Sequence, residues 1–136
     1  MKNLRILLVE DDADDRNFFS FFLKDREDIK LLHPLDNGVA IISTLEDLSD
    51  NSNLPHLIIL DQNMPVMTGL QTLQILKKNK FFSDIPVMLY STYITPQLKK
   101  DSLQKGALEV IEKPNDKKGY YNMIDVFIQA LNLQPS

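Results

Sequence analysis

A chain of 136 residues, 43% hydrophobic and 25% charged, has the size and composition of one soluble globular domain with a genuine core. It contains no cysteine, which excludes disulfides, thiolate nucleophiles and Cys-based zinc, and its two histidines, His33 and His56, are too scattered to build a metal site. A net charge of −4 argues against sequence-independent nucleic-acid binding, and no apolar run approaches the roughly 20 residues of a membrane span, so a cytoplasmic protein is expected.

Leu4-Arg5-Ile6-Leu7-Leu8-Val9 is a short apolar run, the pattern of a strand buried on both faces. Asp14 to Lys24 then predicts a helix, with Phe18, Phe19, Phe22 and Leu23 at helical spacing; these phenylalanines read as core and adjoining surface. Ile29 to His33 predicts a second strand nearer an edge. Asn37-Gly38 opens a second helix through Val39, Ile42 and Leu45, ending near Asp47. Ser49 to Leu54 is polar and turn-rich, a loop and the likeliest insertion site. His56 to Leu60 predicts the third strand and Gly69 to Lys78 the third helix. Ile85 to Tyr90 predicts the fourth strand, with Pro86 tolerated at its start. Thr95-Pro96 starts a helix with proline in its first turn. Leu108 to Ile111 is the fifth strand, Lys117 to Leu131 the last helix, and Gln134-Pro135-Ser136 a tail. Such alternation implies one parallel sheet with helices on both faces.

Ligands of open α/β sheets bind beyond the carboxyl ends of the strands. Here those ends carry Glu10-Asp11-Asp12, Asp61, Ser91-Thr92 and Lys113-Pro114. Taken singly, each has a plain structural use. Asp12 is assigned mainly to capping the following helix, Ser91 or Thr92 could punctuate the next helix, and a lone lysine is usually solvated. Together they form a set. Crowded carboxylates repel, a divalent cation relieves that cost, and an all-oxygen site suits Mg²⁺. The cation would also neutralise an incoming phosphoryl group, leaving Asp61 as nucleophile, Lys113 to pair with a phosphoryl oxygen and Ser91 to hydrogen-bond another.

The segments "ILLVEDDADD", "LDQNMPVMTG", "VMLYST" and "VIEKPN" resemble, in order and spacing, the receiver domain of two-component response regulators. The resemblance covers nearly the whole chain and implies a flavodoxin-like α/β fold, five parallel strands in order 2-1-3-4-5. It implies that Asp61 is the phosphoacceptor and that Glu10, Asp11, Asp61 and the Asn63 backbone carbonyl hold Mg²⁺, with Mn²⁺ as an alternative. Ser91 becomes the switch hydroxyl and Lys113 the phosphoryl-binding lysine, followed by a cis peptide to Pro114. Thr92, Tyr93 and Pro114 are modulating positions. Glu10 departs from the more usual Asp and lengthens one arm of the metal site. Val110 stands where many members carry an aromatic residue, which predicts looser coupling of the switch.

The expected protein is a single receiver domain spanning residues 1–136, with its core at about 3–132 and no output domain. It is not an enzyme beyond self-phosphorylation and slow autodephosphorylation. A histidine kinase or phosphotransfer protein would be its donor, and a downstream protein would read the face of helix four, strand five and helix five. Neither nucleic acid nor membrane is an expected partner, and a homodimer is left open. Two other readings are a pseudo-receiver interaction module, which should lack part of the acidic pair, the Asp or the Lys, and a haloacid-dehalogenase-type phosphohydrolase. The latter wants a second acid two residues after the nucleophile, where this chain has Asn63. Tyr93 is expected to cover the water approach to an aspartyl phosphate, outweighing water orientation by Asn63 and making that phosphate long-lived.

Overall fold

A computed structural model describes residues 3–133, so the Gln134-Pro135-Ser136 tail lies outside the described residues. The strands are β1 (Leu4–Val9), β2 (Ile29–Leu31), β3 (Leu57–Asp61), β4 (Val87–Ser91) and β5 (Glu109–Glu112). The helices between and after them are α1 (Ala13–Leu23), α2 (Ile41–Asp50), α3 (Gly69–Lys78), α4 (Pro96–Gln104) and α5 (Lys117–Leu133). The strands form one sheet in the order β2-β1-β3-β4-β5, every pairing parallel. This is the flavodoxin-like 2-1-3-4-5 arrangement.

Every residue of β3 is buried, because the central strand is covered on both faces. One core layer joins Leu4, Ile6, Leu8, Leu57, Ile59, Met88 and Tyr90 to Phe19 and Leu23 of α1 and Tyr120, Ile124 and Phe127 of α5. The opposite layer joins Leu7, Val9, Ile58, Leu60, Val87 and Leu89 to Ile41 and Leu45 of α2 and Leu73 and Leu76 of α3. Side chains alternate strictly across the sheet, so odd and even positions of β1 belong to different layers. α4 is the weakly anchored helix, its single buried residue being Ser102.

The caps follow the sequence closely. Asp12 accepts from the Asp15 N–H at the start of α1, Thr68 and Gln71 form a capping box on α3, and Thr95 caps α4 with Pro96 in its first turn. Helix α2 differs. It starts at Ile41 and not at Asn37-Gly38, because the Asn37 side chain accepts from the Val39 N–H and closes a turn of its own. It also runs past Asp47 into the segment expected to be a loop, with Ser49 and Asp50 as its last residues. The rest of that segment terminates the helix, the N–H groups of Asn51 and Asn53 donating to Leu48 O. His56 is structural, its Nδ1 accepting from the Arg5 N–H. No peptide bond among the described residues is cis. The Lys113–Pro114 bond is therefore trans, against the expectation, and Lys113 reaches its carboxylate partners with it so.

Candidate functional site

Register brings the site together. Val9 pairs with Leu60 and Asp61 pairs with Tyr90, so Glu10, Asp61 and Tyr90 stand in one row across three adjacent strands. All three share the sheet face covered by α1 and α5. Asp11 comes from the turn after β1, which Arg16 fastens by donating to the carbonyls of Glu10 (2.8 Å) and Asp11 (3.0 Å). Gly69 lets α3 approach closely: a Cβ there would stand 2.6 Å from the Asp61 carbonyl oxygen.

The carboxylates of Glu10, Asp11 and Asp61 each offer an oxygen within 4.8 Å of the others. Glu10 and Asp61 are buried, and Asp11 is exposed. Lys113 at the end of β5 is their counter-charge, its Nζ lying 2.8 Å from Asp15 Oδ2, 3.0 Å from Glu10 Oε1 and 3.3 Å from Asp61 Oδ1. Burial, then the hydrogen bond and charge of Glu10, push the Asp61 carboxyl up to about 7, while the Asn63 N–H and Lys113 pull the other way. Burial works to lower the Lys113 ammonium, but its bonds to Asp15 and Glu10 prevail and hold it above its ordinary value. One ammonium among several crowded carboxylates leaves negative charge in excess. Three carboxylates at this spacing, with no nitrogen or sulfur donor among them, are a donor set that fits a hard divalent cation.

Ser91, the last residue of β4, projects to the opposite side of the strand from Tyr90. Its Oγ donates to the Tyr93 carbonyl (3.0 Å) and accepts from Asn63 Nδ2 (3.1 Å). The Asn63 N–H donates in turn to Asp61 Oδ1 at 3.1 Å, so Asn63 links the hydroxyl to the carboxylate. Thr92 is exposed, and with Pro114 it lines a cleft of about 410 Å³ beside Lys113, walled by Asp15, Phe18 and Phe22. Tyr93 is 75% exposed, so its ring stands in solvent instead of over the site, and only its backbone carbonyl is engaged. Val110 is buried in the layer facing α2 and α3.

Two residues escaped the sequence reading. Asp15 drew no role of its own within the predicted first helix, yet it holds Lys113. Tyr90 marked only the end of the predicted fourth strand, yet its hydroxyl donates to Glu10 Oε1 at 2.5 Å. A signal for Tyr90 was present: a tyrosine inside a fully buried strand needs a partner for its hydroxyl.

A model of the response regulator receiver domain matches residues 6–125. The chain is 29% identical over 117 residues to a protein-glutamate methylesterase/protein-glutamine glutaminase of Geobacillus kaustophilus, covering 85% of this chain and 31% of that protein. The protein of the same name from Treponema denticola is 32% identical over 117 residues, covering 85% and 30%. The chain thus spans about a third of the length of these relatives. Among solved structures it is similar to the Mn²⁺-bound form of response regulator Rcp1, with TM-score 0.73 and 28% identity over 97% of this chain and 96% of that one. The phosphorylated cyanobacterial phytochrome response regulator RcpA shares the fold at TM-score 0.79 and 21% identity, over 98% and 97% of the two chains. Motif order, sheet topology and matched length agree, and the chain belongs to the response regulator receiver domain family.

Proposed function

We propose that residues 3–132 act as one phosphoacceptor unit of a two-component or phosphorelay system, taking a phosphoryl group on Asp61 and signalling through altered partner affinity. The observation that carries this reading is the Asp61 carboxyl itself: buried at a strand end, within 4.8 Å of the Glu10 and Asp11 oxygens and 3.3 Å from Lys113 Nζ. An Asp oxygen forms a bond to the phosphorus of a phosphohistidine or a small acyl phosphate. The bond from phosphorus to the donor's nitrogen or oxygen breaks, that atom keeps the electron pair, and Asp61 becomes an acyl phosphate. Lys113 then pairs with one phosphoryl oxygen, and Ser91 exchanges the Tyr93 carbonyl for another. Glu10, Asp11, Asp61 and the Asn63 carbonyl would hold Mg²⁺ or Mn²⁺, which neutralises charge on the incoming group.

A histidine kinase or phosphotransfer protein fits as donor, and the face of α4, β5 and α5 fits as the surface read downstream. A ligand can shift such an equilibrium only through contacts that differ between its two states, and here those are the Ser91 and Lys113 contacts. The unit has no further catalytic activity in this reading, and it works in the cytoplasm. No helix among the described residues is long and apolar enough to cross a membrane.

Incubation with acetyl phosphate, followed by intact-mass measurement, tests the proposal. One added phosphoryl group is expected with Mg²⁺, and none with a chelator or in Asp61→Asn. An adduct of equal extent in Asp61→Asn would overturn it.

A further inference from the structure

Tyr90 is an anomaly in its strand. The residues before it in β4, Val87, Met88 and Leu89, are aliphatic or thioether side chains, Ser91 after it is the strand's other polar residue, and all are buried. Its ring is fixed on two sides, by an edge-on contact with Phe19 (centroids 6.4 Å apart, planes at 82°) and by Lys113 Nζ 5.0 Å from its centroid. Its hydroxyl donates to Glu10 Oε1. Glu10 and Tyr90 lie on strands that both neighbour β3, so the two side chains meet above the position of Asp61. Strands are spaced about 4.8 Å apart, and two side chains that bridge two such spacings must both be long.

We propose that Tyr90 is a positioning residue for the metal-site carboxylate of Glu10, the two forming a matched pair. Glutamate is long enough to meet the phenol over Asp61, and an aspartate would fall one methylene short. The longer side chain also has one more rotatable bond to immobilise, which costs rotamer entropy unless something holds it. The contacts supply that hold. Oε1 accepts from Tyr90 and lies 3.0 Å from Lys113 Nζ, while Oε2 accepts from the Asp12 N–H at 3.1 Å. Loss of a partner that orients a ligating side chain typically costs about 10- to 100-fold in metal affinity. The competing account is that a buried phenol needs any acceptor and Glu10 is the one available. That account predicts an effect on stability with none on the metal.

The inference rests on the metal-site reading above, and Mn²⁺ affinity of the unphosphorylated full chain tests both. Isothermal titration is made on the unchanged protein, Tyr90→Phe, Glu10→Asp and the double variant, with thermal unfolding of each alongside. Tyr90→Phe keeps the packed ring and loses only the hydroxyl. It is expected to weaken Mn²⁺ binding on the order of 10-fold or more. In the Glu10→Asp background the same change should alter binding less than about twofold, because the shorter carboxylate no longer meets the phenol. An affinity in Tyr90→Phe within twofold of the unchanged protein overturns the positioning role, whatever the change in melting temperature. So does an equal loss in both backgrounds. If Tyr90→Phe does not fold, Tyr90→Leu is titrated in its place, with the same loss expected and an affinity within twofold of the unchanged protein overturning the pairing. Failure of the unchanged protein to bind Mn²⁺ would instead bring down the metal-site reading, and the role of Tyr90 with it.

Discussion

Lys113 is held more closely by Asp15, at 2.8 Å, than by Asp61, at 3.3 Å. The lysine assigned to follow a phosphoryl group is thus tied to a carboxylate on α1, and any group arriving on Asp61 must compete for it. A partly exposed ion pair of this kind is worth about 0.2–1 kcal/mol. Asp15→Asn should therefore raise affinity for a phosphoryl analogue by about 1.4- to fivefold, measured by titration with beryllofluoride in saturating Mg²⁺. Weaker binding in that variant would mean that Asp15 supports Lys113 in the phosphorylated state and does not compete with it.

The elevated Asp61 carboxyl sets a pH dependence. Its folded value of about 7 lies above the ordinary 3.8, so between these the folded state binds more protons than the unfolded one. Metal-free stability should accordingly fall as pH rises through that window, with the cost complete above about 7. At 1.36 kcal/mol per unit the cost has a ceiling of about 4 kcal/mol. Asp61→Asn should remove this slope and be the more stable protein at pH 8 without metal, and saturating Mg²⁺ should narrow the difference. Thermal unfolding at pH 5 and pH 8 is the measurement, and a parent protein no less stable at pH 8 without metal would contradict it.

Tyr93 does not shield the site in this conformation. Its ring is 75% exposed, and its carbonyl is the part that meets Ser91. Removing the ring should change phosphate release from the phosphorylated protein by less than about twofold, whereas loss of a true shield could change it by a factor on the order of 10². Release from Tyr93→Ala, followed in excess Mg²⁺, separates the two outcomes.

α4 should be the first helix to open. It buries Ser102 alone, while α3 buries Gly69, Thr72, Leu73 and Leu76. Few buried apolar contacts mean low local stability. Amide exchange should show α4 protected at least about tenfold less than α3, with α4 changing most when a phosphoryl analogue is added. Equal protection of the two helices would argue against α4 as the responsive element.

Much of this site was legible in the sequence because parallel strands deliver their carboxyl ends to one edge, so Glu10, Asp61, Ser91 and Lys113 had to gather there. The missing parts depend on geometry that spacing does not encode. Placing Tyr90 beside Glu10 requires the register of β1 on β3 and of β3 on β4. Asp15 meets Lys113 only because α1 turns that face inward, and the direction of an exposed ring such as Tyr93 leaves no periodic trace. The start of α2 was misread for a local reason: Asn37 can cap a helix or close a turn, and here it closes a turn.

The central claim is that Asp61 and no other carboxylate accepts the phosphoryl group, and the direct measurement is chemical trapping of the acyl phosphate. The protein is incubated with acetyl phosphate and Mg²⁺, reduced with borohydride, digested and sequenced by mass spectrometry. Reduction of an aspartyl phosphate leaves homoserine at the position that carried it. Homoserine at position 61 alone is the result this account predicts, and homoserine at position 11, 12 or 15, or at none, would contradict it.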